Sequence, residues 1–304
     1  MEVGLGLPNG GADVDPGELV RLAVGAERIG LDAVWVVDRW LRPHAPVAMP
    51  GVPVLVTMPA EYYASVYDPI DLLCHLAART DRIGLGTSAI NVLYHPPVLL
   101  ARRLATLDRL SSGRARAGVT SGWMAEEFAV ADVPPSVMGE GFDEHLAAMR
   151  AVWAPDPVER DGTRFPIPRS DIGPKPVGAI PLLVGYNTAA GLRRAARIGD
   201  GLHPHRNGLA HLARDLEQWR ADAQEAGRDP AMMPVVLRVA ADPTAADAPG
   251  EVFTGPPERW PADLVALEAL GVDHVLLQFP PGTSVDETLA VMTPLSSGTR
   301  AAPS

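Results

Sequence analysis

One cysteine, Cys74, and one lysine, Lys175, occur in the 304 residues. A single cysteine forms no internal disulfide, and the spacing of Cys74 from Ile70 and Ala77 puts it on the apolar side of a predicted helix. With Lys175 outside every predicted strand end, a Schiff-base lysine is excluded. Basic charge is also scarce: 26 Lys and Arg against 37 Asp and Glu give −11. With no basic stripe to offset this, nucleic acid is excluded as a partner. No apolar run reaches the roughly 18 residues a bilayer span needs. The start, MEVGLGLPNG, lacks a basic stretch followed by an apolar core, so a cytoplasmic protein with no membrane partner is expected. The eight histidines form no HExxH or Cys/His ligand cluster, so no metal site is expected.

What is present is alternation. EVGLGLP reads as a buried strand, and a helix follows with Asp15 as N-cap, Pro16 at its first position, Glu18 completing a capping box and Gly30 as stop. DAVWVVD is the next strand, apolar nearly throughout, as parallel strands covered by helices are. The pattern continues: a helix from Asp68-Pro69 to Thr80, a strand from Ile83 to Ile90, a helix from Pro96-Pro97, then the strand RARAGV. PLLVG, a helix from Thr188 to Ile198, DGLHP, a helix over 209–226, PVVLRVA, a helix over 258–270 and DHVLLQF complete eight strands. That count predicts a (β/α)8 TIM barrel over residues 1–295 as one domain. Stretches 39–67, 154–179 and 241–257 are expected as loops at its C-terminal face or edge, and 296–304 as a disordered tail.

Such barrels build their site at the strands' C-terminal ends, here including Asp38–Trp40, Thr87–Asn91, Thr120–Trp123, Gly185–Thr188, His203–His205 and Arg238–Ala240. No Ser/His/Asp set emerges, which points to a cofactor carrying the chemistry. Gly185, Tyr186, Asn187 and Thr188 turn a strand into a helix N-terminus, suited to a phosphate or, more plainly, to capping the helix. The strand RIGLGTSAI replaces large side chains with Gly86, Thr87, Ser88 and Ala89 at its end. Either a ligand or a crowded barrel layer approaches there.

The segments GLDAVWVVD, RIGLGTSAINVLYHPPVLLARRLATLDRLSSGRARAGVTSGWMAEEF, PKPVGAIPLLVGYNTAAGLRRAARIGDGLHP and LGVDHVLLQF together resemble the bacterial luciferase-like superfamily. Within it they are most similar to the branch of coenzyme F420-dependent oxidoreductases. The resemblance implies hydride transfer between F420 and a small organic substrate. FMN-dependent monooxygenation, fed by a reductase partner, is the alternative, and a non-catalytic flavin- or deazaflavin-binding protein stands as a third reading. It further implies a cis peptide at Ser88-Ala89 against the cofactor ring, a phosphate at Gly185–Thr188, and cofactor contacts from Asp38, Thr87, Thr120 and Gly122. Relatives often carry His after the acidic residue; Arg39 stands there instead, suited to neutralise an anion rather than donate a proton. His44, His203 and His205 are then the candidate acids. Trp123 replaces a Glu of some deazaflavin sugar-phosphate dehydrogenases, which argues against that substrate class. Met49, Met58, Tyr62, Tyr63 and Tyr67 suit a lid or a homodimer interface, and a homodimer is expected.

Overall fold

The computed structural model describes residues 1–246 and 248–296. Its eight parallel barrel strands are β1 (Glu2–Gly6), β2 (Ala33–Val36), β3 (Gly84–Asn91), β4 (Ala115–Thr120), β5 (Leu182–Val184), β6 (Gly201–Leu202), β7 (Val236–Ala240) and β8 (His274–Gln278). They pair in the order β6-β5-β4-β3-β2-β1-β8-β7. The ring closes between β6 and β7 through single parallel bridges, Leu202 to Val235 and His205 to Arg238. The eight-stranded barrel expected from the alternation is the observed fold.

Local sequence sets the helices. In α1 (Pro16–Ile29), Asp15 accepts from the Gly17 N–H at 2.8 Å and Gly30 closes the end at φ 87°. The capping box expected at Glu18 forms instead at α10 (Val285–Met292), where Ser284 and Glu287 exchange bonds. Between these lie α2 (Ala60–Tyr63), α3 (Pro69–Ala77), α4 (Pro97–Leu110), α5 (Ala125–Val130), α6 (Glu140–Trp153), α7 (Ala189–Ile198), α8 (Leu209–Glu225) and α9 (Trp260–Ala269). Leu192, Ala195 and Ala196 of α7 face the barrel, as their spacing on one helical stripe requires. Cys74 is half-buried against the core.

Two expected loops hold more structure. Residues 154–179 include an antiparallel hairpin, Val158–Arg160 with Ile167–Ser170, where Val158 and Ile167 are buried and anchor it. Residues 39–67 fold back as a lid: Val47 and Val56 pair through two 2.9 Å backbone bonds, and Val47 and Met58 pack on Met124. Of the expected tail, Ser296 is buried and its hydroxyl donates to Thr293 O at 2.9 Å, so order reaches that residue; 297–304 lie outside the described residues. Among the described residues, no helix is long and apolar enough to cross a membrane.

The barrel lumen is filled by Trp35, whose indole donates to His274 Nε2 at 3.0 Å and stacks on His203 with centroids 5.6 Å apart. A Cβ on Gly86 would stand 2.2 Å from the Trp35 ring, so Gly86 is small to admit a side chain of the barrel itself. At the floor, Glu2 accepts from His274 Nδ1 at 2.9 Å and pairs with Arg116.

Candidate active site

At the C-terminal ends of the strands a cavity opens to solvent, walled by residues from the end of β2 through β7. Its first wall is positioned by Asn9, whose side-chain amide donates to Val37 O and accepts from Val37 N–H, both at 2.9 Å. The chain past β2 is thereby fixed, and Asp38 and Arg39 project into the cavity.

Asp38 is 8% exposed and takes one hydrogen bond, from Asn91 N–H at 3.1 Å. Burial outweighs that bond and, with the nearby charge of Glu127, pushes its pKa up to about 7. Arg39 pairs with Glu127: its Nη1 lies 2.8 Å from that fully buried carboxylate, whose other oxygen accepts from Trp40 N–H at 2.8 Å. The guanidinium stacks over Trp123 at 5.2 Å and Tyr63 at 5.6 Å. Its charge is matched within the protein, and its buried Nε has no partner.

The adjoining wall is the bulge of β3, the strand paired with β2. Its register against β4 shifts between Thr87 and Ile90, and the Ser88-Ala89 peptide is cis, as the resemblance implies. His203 Nδ1 meets Val236 O at 2.7 Å, and a carbonyl only accepts, so Nδ1 carries the hydrogen. Burial, with Arg238 nearby, lowers the imidazole to about 4; it is neutral, and Nε2 accepts the Ser88 hydroxyl at 2.9 Å. Ser88 Oγ therefore offers only lone pairs to the cavity. His205 lines the cavity too, with its side chain exposed at the mouth.

Thr120, Gly185, Tyr186 and Asn187 complete the lining, ahead of the α7 N-terminus. A Cβ on Gly185 would meet nothing closer than His203 O at 3.4 Å, so packing does not demand this glycine and the space above it belongs to the cavity. Tyr186 is anchored from behind by donating to Asp215, which also accepts from Arg206 at 3.3 Å.

Asp38, Arg39, Ser88, Ala89, Thr120, Gly185, Tyr186, Asn187 and His205 thus share one cavity. Four predicted residues do not line it. Thr87 donates inward to Gly118 O at 2.9 Å, Gly122 packs beside the Tyr94 hydroxyl, Thr188 caps α7 through Gly191 N–H at 3.0 Å, and His44 is exposed on the lid. Sequence reasoning missed Glu127, named Asn91 and Arg238 only as strand-end positions, and gave Tyr63 only to a lid or interface. Glu127 reads like its exposed neighbour Glu126, and only the fold distinguishes them. Among the described residues no set of His, Cys, Asp and Glu is arranged to hold a metal ion.

A model of the luciferase-like monooxygenase family matches residues 1–275. An F420-dependent glucose-6-phosphate dehydrogenase of Amycolatopsis mediterranei is 31% identical over 195 residues, 61% of this chain and 52% of that protein. The chain spans about half the length of the curated relatives it matches. Among solved structures, the coenzyme F420 dependent tetrahydromethanopterin reductase from Methanopyrus kandleri superposes with a TM-score of 0.76 at 17% identity, covering 96% of this chain and 97% of that one. Riboflavin lyase with modified FMN and riboflavin gives 0.79 at 17%, covering 99% and 92%. These two likenesses concern the fold.

Proposed function

This chain belongs to the luciferase-like monooxygenase family, and from that premise we propose that it is an oxidoreductase moving a hydride between coenzyme F420 and a small organic substrate. The observation that carries the cofactor reading is the shape of the cavity, which runs from the Ser88-Ala89 bulge to the glycine turn ahead of α7. A flat ring bearing a phosphorylated chain suits that path: the bulge offers backbone and a small side chain, and the helix N-terminus offers N–H groups and a positive dipole. The unpartnered Nε of Arg39 and the spare space at Gly185 support an occupant. The F420-dependent relatives favour F420. FMN with monooxygenation is the second reading, supported by the family's description and the FMN-containing neighbour of the same fold. The sugar-phosphate substrate of the relatives is not carried over, because Trp123 lies over Arg39 in this cavity.

When bound, the cofactor supplies the redox chemistry; the chain supplies orientation and protons. Ser88 Oγ, its hydrogen committed to His203, accepts from a ring or substrate donor. With a pKa of about 7, Asp38 holds a proton about half the time at neutral pH and can give or take one at its carboxyl oxygens. His203, buried and bonded through both ring nitrogens, is neutral there and does not act as an acid. Arg39, matched by Glu127, holds Trp123 and Tyr63 in place over the mouth.

The test is separate titration of the purified protein with F420 and FMN. F420 is expected to bind at least about tenfold tighter; tighter FMN selects the second reading, and binding of neither removes the cofactor assignment. With the cofactor known, Asp38→Asn is expected to lower kcat by roughly 10²-fold or more and to abolish the pH dependence near 7, the scale of one general acid–base group.

A further inference from the structure

Arg238, in β7, stands at the junction of two cavities. It lines the main one and a narrow neighbouring cleft walled by Leu7, Pro8, Tyr62, Tyr63 and Phe279. Its Nη1 donates to Ser88 O at 3.0 Å and its Nη2 to Gln278 Oε1, so two of the guanidinium's five donors are engaged, both by neutral groups. Its Nε is buried without a partner. No ion pair among the described residues involves it. Asp38 does not serve: that carboxyl bonds to Asn91, and the charges around it are those of Glu127, Asp68 and Arg39. Arg39 makes the contrast, since Glu127 matches it at 2.8 Å. An enclosed cation without a counterion costs desolvation that two neutral hydrogen bonds only partly offset. Those two bonds answer the donors they use and leave the charge itself unmatched, so the charge calls for a ligand.

We propose that Arg238 binds the carboxylate of the substrate, and that the substrate is a small organic acid whose apolar body lies along Tyr62, Tyr63 and Phe279. The planar fork of the guanidinium matches a carboxylate bidentately, and the aromatic wall beside it accepts a hydrocarbon or ring. Val37 and Tyr63 line both cavities with Arg238, so the carbon next to the carboxylate stands at the boundary of the main cavity. The word substrate rests on the reading of the main cavity as the cofactor site; the anion site itself does not.

The experiment is calorimetric titration of the full chain with benzoate and with benzamide, which has the same planar shape and no charge, each with and without F420 or FMN. Benzoate is expected to bind about tenfold or more tightly than benzamide, the scale of a charge-assisted pair. Arg238→Gln, with its fold checked by circular dichroism and thermal midpoint, is expected to erase that preference, and Arg238→Lys to keep part of it. Equal binding of benzoate and benzamide to the wild type overturns the proposal, with no variant needed. So does a preference that survives in folded Arg238→Gln, displacement of benzoate by inorganic phosphate at equal concentration, or one-for-one displacement by the cofactor. Loss of cofactor binding with the benzoate preference intact removes the cofactor reading and leaves the anion site standing.

Discussion

Glu2 and Asp38 are carboxylates at opposite ends of one barrel, and they titrate in opposite directions. At the floor, the hydrogen bond from His274 and the pairing with Arg116 prevail over burial and hold Glu2 down to about 2. At the mouth, burial prevails over the Asn91 N–H bond and lifts Asp38 to about 7. The floor answers its charges within the chain, which serves the fold. The mouth leaves Asp38 and Arg238 only partly answered, which serves something the chain does not contain.

That contrast can be broken from either side. The largest effect is expected from Glu127→Gln, which turns the matched Arg39 into a second unanswered cation. Losing one partner of so buried a pair should cost about 3–5 kcal/mol in chemical denaturation, while Arg39→Met with Glu127→Met should recover much of it. Next comes Asp38→Asn. A raised carboxyl binds its proton more tightly folded than unfolded, so wild-type stability falls as pH rises through about 4 to 7. The variant should lack that slope and exceed the wild type at pH 8 by up to about 4 kcal/mol, with little difference near pH 4. Thermal denaturation across this range measures it.

Between the two ends, Gly86→Ala would press on Trp35 and should cost about 1–3 kcal/mol by denaturant titration. Smallest is Glu2→Gln. A depressed carboxyl stabilises above its unfolded pKa and loses that contribution as pH falls from about 4.5 to 2, so the variant should flatten the acid limb of the stability curve. Because the Glu2 side chain is 47% exposed, less than about 1 kcal/mol is expected.

The barrel was legible because its strands and most of the helices between them carry local signals, down to Pro16 and Gly30 around α1, although α5, α6 and α10 went unread. The site was legible only where it lies at a strand end: Asp38, Ser88, Ala89 and the Gly185 turn all face the cavity. Gly86 was noticed as small, but its reason is Trp35 of another strand, which no local pattern reports. Glu127 lies 88 residues from Arg39, and a pairing over that distance has no signature in the string MAEEF. His44 misled by proximity, because the lid carries it outward within a few residues of Asp38. The hairpin at 158–170 escaped because its strands are 3 and 4 residues long, too short for alternation to register.

The seam between β6 and β7 gives the barrel a preferred line of breathing. Leu202 N–H hangs on Pro234 O at 2.9 Å, Arg238 N–H on Pro204 O at 2.8 Å and Arg206 N–H on Arg238 O at 3.2 Å, where the other strand pairs form ladders. In hydrogen–deuterium exchange these amides should lose protection ahead of β1 and β8, whose five-residue ladder is unbroken. His205 and Arg238 face each other across that line, so a fluctuation that parts the seam moves both sides of the anion-binding corner at once. A small acid seated there would act as a clasp, slowing exchange at a place where no ladder does.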